Sequence, residues 1–218
     1  MNIPSVTPVE INEYTKKFNN LANSKLENLF QLAVKRDDIL PCVQRDAACL
    51  LQLLIRLTKP ARILELGTGI GVSTIIMASA MDKSGQIITI EFNEKFASEA
   101  KQNFTRFQVQ DRILLHIGDA VDIVPQLSLG FDLIFQDSGK QTYPATLDQL
   151  VQLLKPGGLL ICDDTLFPAM DLPERNRTSQ AVIDRFNRAV KEHPLLESYI
   201  LPIGHGVTVA RKQDTNEV

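Results

Sequence analysis

Apolar and polar positions along this 218-residue chain change period in a regular way. Short, nearly continuous apolar runs at 61–66, 86–91, 112–117, 131–136 and 158–163 read as buried strands. Between them, segments with an apolar residue every three or four positions, at 71–81, 93–106, 119–127 and 143–154, read as amphipathic helices. This alternation predicts an α/β fold, a mostly parallel sheet with helices on both faces. Two leading helices are expected at 10–34 and 43–57, the second carrying Ala47, Leu50, Leu51, Leu54 and Ile55. A last helix at 178–192 precedes SYILPI and GVTVARK, which Gly204-His205-Gly206 joins into an expected antiparallel hairpin. Pro60, Ser84-Gly85, Gly130 and the stretch from Lys155 to Gly158 mark the loops. No repeat, low-complexity tract or linker interrupts the pattern, so residues 1–218 are expected to form one domain.

Composition narrows the function classes. A 44% hydrophobic content is enough for one buried core, and a formal net charge of −3 gives no footprint for nonspecific nucleic-acid binding. No run approaches the roughly 18 apolar residues of a membrane span. MNIPSVTPVEINEY lacks a basic segment followed by an apolar one, so no membrane association and a cytoplasmic location are expected. Cys42, Cys49 and Cys162 are odd in number and lack a CxxC spacing, which argues against disulfides and thiolate metal sites.

Candidate chemistry gathers at one edge of the expected sheet. In RILELGTGIGVS, from Arg62 to Ser73, an apolar strand breaks into Gly67, Gly69 and Gly71, a loop whose backbone can approach a ligand closely just before a helix N-terminus. Glu91 ends the second strand 22 residues after Gly69, close to the spacing of a carboxylate that accepts from ribose hydroxyls. Asp119 follows strand three, Asp137 strand four, and Asp163 with Asp164 strand five. All lie at carboxyl ends, where open α/β sheets bind ligands. An adenosyl or a dinucleotide cofactor satisfies Glu91 equally.

The loop spacing separates those two cofactors. It reads E-x-G-x-G-x-G, without the G-x-G-x-x-G of dinucleotide folds. ILELGTGIGVS resembles the first motif of class I S-adenosylmethionine-dependent methyltransferases, and ITIEFNEKFASEA resembles their second. The resemblance implies a Rossmann-like, seven-stranded sheet closed by the antiparallel hairpin. It implies that Gly67, Gly69 and Ser73 hold the methionine end of S-adenosylmethionine, Glu91 the ribose, and Asp119 with Ala120 the adenine region. Val43, Glu65 and Asp137 complete the implied cofactor set.

Across the same edge, FDLIFQDSGK and LLICDDT supply three carboxylates and an amine. Asp137, Asp163 and Asp164, without His or Cys, are hard oxygen donors suited to Mg²⁺, Mn²⁺ or Ca²⁺; singly, a DD pair also reads as a solvated turn. Together with Lys140, Phe186-Asn187 and LPIGHG they resemble the metal-dependent O-methyltransferases, the group of catechol and caffeoyl-coenzyme A methyltransferases, over about residues 41–211. The resemblance implies Asp137, Asp163 and Asp164 as metal ligands, Lys140 as general base and, with Asp137, as the catalytic pair, residues 1–57 as helices over the active site, and a homodimer. Two positions depart from the pattern: Asp164 stands where Asn is usual, and His205 where the hairpin turn commonly has Asp.

The implied reaction is attack by a small phenolic or catechol-like hydroxyl on the donor's methyl group. Whether the carboxylates or burial set the protonation of Lys140 is open at this point. The segment 165–178, with Phe167 and Met170, is expected over the acceptor. A hydroxyuridine of tRNA is an alternative acceptor, which the acidic balance disfavours. A nicotinamide oxidoreductase and a non-catalytic nucleotide-binding protein are the readings of other classes.

Overall fold

The computed structural model describes residues 13–15, 17–21, 23–39 and 43–214. Its centre is a seven-stranded sheet: β1 (Arg62–Leu66), β2 (Gln86–Glu91), β3 (Ile113–Ile117), β4 (Phe131–Gln136), β5 (Leu154–Cys162), β6 (Leu196–Leu201) and β7 (Val207–Lys212). The spatial order is β3-β2-β1-β4-β5-β7-β6. β1 to β5 run parallel, whereas β7 pairs antiparallel with β5 and β6 antiparallel with β7. Both expectations, the parallel sheet and the closing hairpin, are met.

The helices α1 (Ser24–Val34), α2 (Arg45–Thr58), α3 (Val72–Ala80), α4 (Glu94–Arg106), α5 (Ala120–Ile123), α6 (Thr142–Leu153) and α7 (Arg177–Glu192) cover the sheet. Alternate residues of the central strands feed two cores. Ile63, Leu133, Phe135 and Ile161 pack with α1, α2 and α3, whereas Leu64, Leu66, Ile134 and Leu160 pack with α6 and α7. Strands buried on both faces need the continuous apolar runs read above. No helix among the described residues is long and apolar enough to cross a membrane.

Three expected elements are redrawn. The single helix at 10–34 is broken: residues 13–15 are helical, a turn follows, and α1 starts only after Asn23. Asn23 accepts from the Leu26 amide at 3.0 Å, and Asn19 donates to Asp46 at 2.9 Å; both side chains favour caps and long-range partners over a helix interior. Residues 10–12, like Cys42, lie outside the described residues. Strand five begins at Leu154 instead of 158, because Phe131 pairs with Leu154 while Leu133 pairs with Leu159, and the intervening Lys-Pro-Gly-Gly forms a bulge. The helix at 119–127 is one α-turn followed by a 3₁₀ turn over Val124–Gln126, where Pro125 removes a donor.

The chain returns from β3 to β4 beside β1, so strand order reverses between β1 and β4. Their carboxyl ends therefore border a crevice of the kind that binds ligands in open α/β sheets.

Candidate active site

β1 runs straight into the glycine loop, and Gly67, Gly69 and Gly71 have φ of +95°, +53° and +88°. Gly67 is pressed against the neighbouring loop: a Cβ there would stand 2.1 Å from the Asp137 carbonyl oxygen. Around Gly69 a Cβ would meet nothing within 4 Å, which leaves room for a ligand against the bare backbone. Glu91 ties the loop to β2. One carboxylate oxygen accepts from the Gly69 amide at 2.7 Å and the other from the Asn93 amide at 2.8 Å.

Glu65 is completely buried. Its carboxylate accepts hydroxyls from Ser73 and Thr74, each at 2.5 Å, and from Thr89 at 2.6 Å. Burial pushes its pKa up to about 7 against these hydrogen bonds. Glu65 and Ser73 are thus brought together, with Glu65 holding the loop from within. Val43 lies in the core beside α1 and α2. Asp119 is exposed and caps α5, accepting from the Val121 amide at 2.9 Å, and Ala120 is buried behind it.

The second half of the site is an ionic cluster at the ends of β4 and β5. Lys140 Nζ lies 2.7 Å from Asp164 Oδ2, 3.7 Å from Asp137 Oδ1 and 3.1 Å from the Tyr143 hydroxyl. Its charge also faces the rings of Tyr143 at 4.8 Å and Phe167 at 5.4 Å. Asp164 Oδ1 is held by His205 Nδ1 at 3.0 Å, and His205 Nε2 meets Gln44 Nε2 at 2.7 Å. Asp163 accepts the Asp164 amide at 2.9 Å.

Asp164 adopts φ +59°, a left-handed conformation that Asn and Asp accept more readily than other side chains. The turn is fixed by its surroundings: Thr165 and Leu166 donate their amides to Gly206 and His205, and Asn187 donates to the Thr165 carbonyl at 2.7 Å. Of the loop residues expected over the acceptor, Phe167 stands edge-on to His205 at 5.8 Å. The Met170 carbonyl accepts from Gln180 at 2.6 Å.

Electrostatics follow from that packing. Burial favours a neutral Lys140, but the charges of Asp137, Asp164 and Asp163 outweigh it and hold the lysine protonated above its ordinary range. Burial opposes ionisation of Asp164 as well, yet the hydrogen bond from His205 and the charge of Lys140 keep its pKa below the usual carboxylate value. Burial raises Asp137 to about 6. Asp163 rises well above its ordinary value through burial and the adjacent charges of Asp137 and Asp164.

Among the described residues, no group of three or more His, Cys, Asp or Glu side chains stands close enough together to hold a metal ion. Lys140 and His205 take the two oxygens of Asp164. In donor chemistry Asp137, Asp163 and Asp164, at the adjoining ends of β4 and β5, are hard oxygen groups that fit a divalent cation. The glycine side fits an extended polar ligand: besides the space at Gly69, the Ser138 hydroxyl is buried without a hydrogen-bond partner.

A sequence model of the O-methyltransferase family matches residues 17–213. The chain belongs to this family of S-adenosylmethionine-dependent O-methyltransferases. The enzyme is 37% identical over 157 residues to a catechol O-methyltransferase of Niastella koreensis, covering 69% of this chain and 71% of that one. It is 31% identical over 161 residues to a catechol O-methyltransferase of Mycobacterium tuberculosis, covering 73% and 71%. An O-methyltransferase from Bacillus cereus solved in complex with SAH superposes with a TM-score of 0.78 at 27% identity, covering 93% of this enzyme and 97% of that chain.

Two residues of this methyltransferase's site escape the sequence reading. Gln44 precedes α2 yet makes no cap, bonding to His205 instead. Tyr143 reads as one more apolar position of a helix. It stands in the first turn of α6 three residues after Lys140, which lies in the preceding turn, and that turn brings its hydroxyl to the lysine.

Proposed function

We propose that the enzyme transfers a methyl group from S-adenosylmethionine to a hydroxyl of a small catechol-like or phenolic acceptor, with a divalent cation at the carboxylate cluster. The observation that carries this reading is the apposition of Gly67 to Asp137. It sets a ligand-binding backbone directly against Asp137, Lys140, Asp163 and Asp164. The relatives named catechol O-methyltransferase support the acceptor class.

On the donor side, the Gly67 and Gly69 backbone and the Ser73 amide in the first turn of α3 hold the methionine end. Glu91 retains lone pairs for the ribose hydroxyls after accepting two amides, and Asp119 with Ala120 borders the adenine. Glu65 acts through the loop it holds.

On the acceptor side, Phe167 and His205, in contact with each other, border one side of the acceptor ring and Lys140 faces its hydroxyl. A divalent cation, held by Asp137, Asp163 and Asp164, would when bound acidify the hydroxyl and take up carboxylate charge. Lys140, no longer held protonated by three uncompensated carboxylates, accepts the hydroxyl proton at Nζ. The acceptor oxygen attacks the methyl carbon, forming the C–O bond as the C–S bond breaks. General-base action by Lys140 is thus tied to the charge state of its neighbours.

The test is methyl transfer to catechol, caffeoyl esters, and unmodified or hydroxylated tRNA, each with Mg²⁺ and with EDTA. Catechol methylation that EDTA abolishes and Mg²⁺ restores is expected. Transfer indifferent to EDTA would remove the cation from the mechanism, and transfer to tRNA alone would replace the acceptor.

A further inference from the structure

Tyr143 has no exposed surface, and its ring packs edge-on against buried Phe186 at 5.2 Å. Core packing needs only the ring; the hydroxyl does more. It lies 3.1 Å from the Gln136 carbonyl, at the end of β4, and 3.0 Å from the Asp163 carbonyl, just past the end of β5. A phenol has one proton, so that proton is shared between the two carbonyls. The oxygen lone pairs remain to accept from Lys140 Nζ at 3.1 Å. One buried atom therefore measures the lysine's position against the two strand ends that carry Asp137 and Asp163.

We infer that Tyr143 is a positioning residue for Lys140: its hydroxyl fixes Nζ between Asp137 and Asp164 and keeps it there when the lysine exchanges Asp164 for the acceptor hydroxyl. The inference rests on the proposed role of Lys140 in methyl transfer. Without this hydroxyl the ammonium keeps its carboxylate partners but loses the neutral contact that ties it to the two strand ends. A long, flexible lysine stem holds no fixed position by itself.

Tyr143→Phe preserves the ring and its contact with Phe186. Three readings separate positioning from packing. First, kcat is expected to fall tenfold or more while KM for S-adenosylmethionine stays within twofold. Second, acylation of Lys140 by an amine-directed reagent, followed by mass spectrometry, is expected to quicken at least fivefold as Nζ becomes free to move. Third, fluorotyrosine-labelled wild-type protein is expected to show one buried signal, since Tyr14 and Tyr199 are 63% and 69% exposed. That signal should shift in Lys140→Met.

The third reading needs no substitution at Tyr143 and holds even if Tyr143→Phe fails to fold. An unmoved fluorine signal, or unchanged kcat and labelling in a folded Tyr143→Phe, overturns the inference. If the wild-type enzyme methylates no acceptor, the proposed function fails while labelling and fluorine signals still decide the role of Tyr143.

Discussion

Lys140 Nζ lies a full ångström closer to Asp164, at 2.7 Å, than to Asp137, at 3.7 Å. Asp164 is thus the nearer carboxylate partner of the lysine. It also determines what the lysine is, because the Asp164 charge helps to keep it protonated.

Asp164→Asn leaves the left-handed turn intact and removes that charge. Mg²⁺ affinity, measured by titration calorimetry, is expected to weaken by about tenfold with one fewer ligating charge. Turnover at saturating Mg²⁺ is expected to hold or rise, since Lys140 then gives up its proton more easily. Lower turnover with unchanged affinity would contradict this account.

Lys140→Met removes the proposed proton acceptor and keeps a stem of similar length. Turnover is expected to drop by about 10²- to 10⁴-fold, the usual worth of a general base. Donor affinity, read by fluorescence or calorimetry, should stay the same, because the glycine loop and Glu91 are untouched.

Gly67→Ala places a methyl group 2.1 Å from the Asp137 carbonyl oxygen at a φ of +95°. Positive-φ strain alone costs about 1–3 kcal/mol, and relieving the overlap must separate the two loops. A fall in Tm of roughly 4 °C or more is expected for a domain of this size, with loss of donor binding. Gly69→Ala, where no atom stands within 4 Å of the added carbon, retains the strain without the collision. Its melting temperature should fall less.

Glu65 makes stability depend on pH. Its folded pKa of about 7 stands above the ordinary 4.5, so between these values the folded chain keeps a proton that the unfolded chain has released. Stability from this group is therefore complete below about pH 4.5 and is lost as pH rises through about 7, on the order of 3 kcal/mol in all. Glu65→Gln, which cannot ionise, should flatten that part of the profile in urea unfolding followed across pH 5 to 8.

The parts legible in the sequence are those set by local rules. Strand ends follow from where apolar runs stop, so Gly67, Glu91, Asp119, Asp137 and Asp163 fall along one edge as the pattern predicts. Partnerships across the sheet obey no such rule. That Asp164 would bind both Lys140 and His205 depends on the hairpin turn folding back over residues 164–166, contacts between segments some forty positions apart. The protonation of Lys140 was open for the same reason: burial and carboxylate charge oppose each other, and only distances decide between them. The leading segment departs from the predicted helix where Asn19 and Asn23 seek partners outside a helix. Asparagine's competing hydrogen bonds are a local signal, and an overall apolar period hides it.

The contact between Gly67 and the Asp137 carbonyl limits where this enzyme can change. Donor loop and carboxylate cluster share a seam with no room for a single carbon, so an alteration on one side displaces the other. Under the proposed function, new acceptors would be accommodated from above the seam, by Phe167, His205 and Gln44, whose contacts join three separate stretches of chain and reach the cluster through the bond from His205 to Asp164. On that reading, diversification of substrate range in this chain is a matter of its roof, because its floor is too tightly joined to vary.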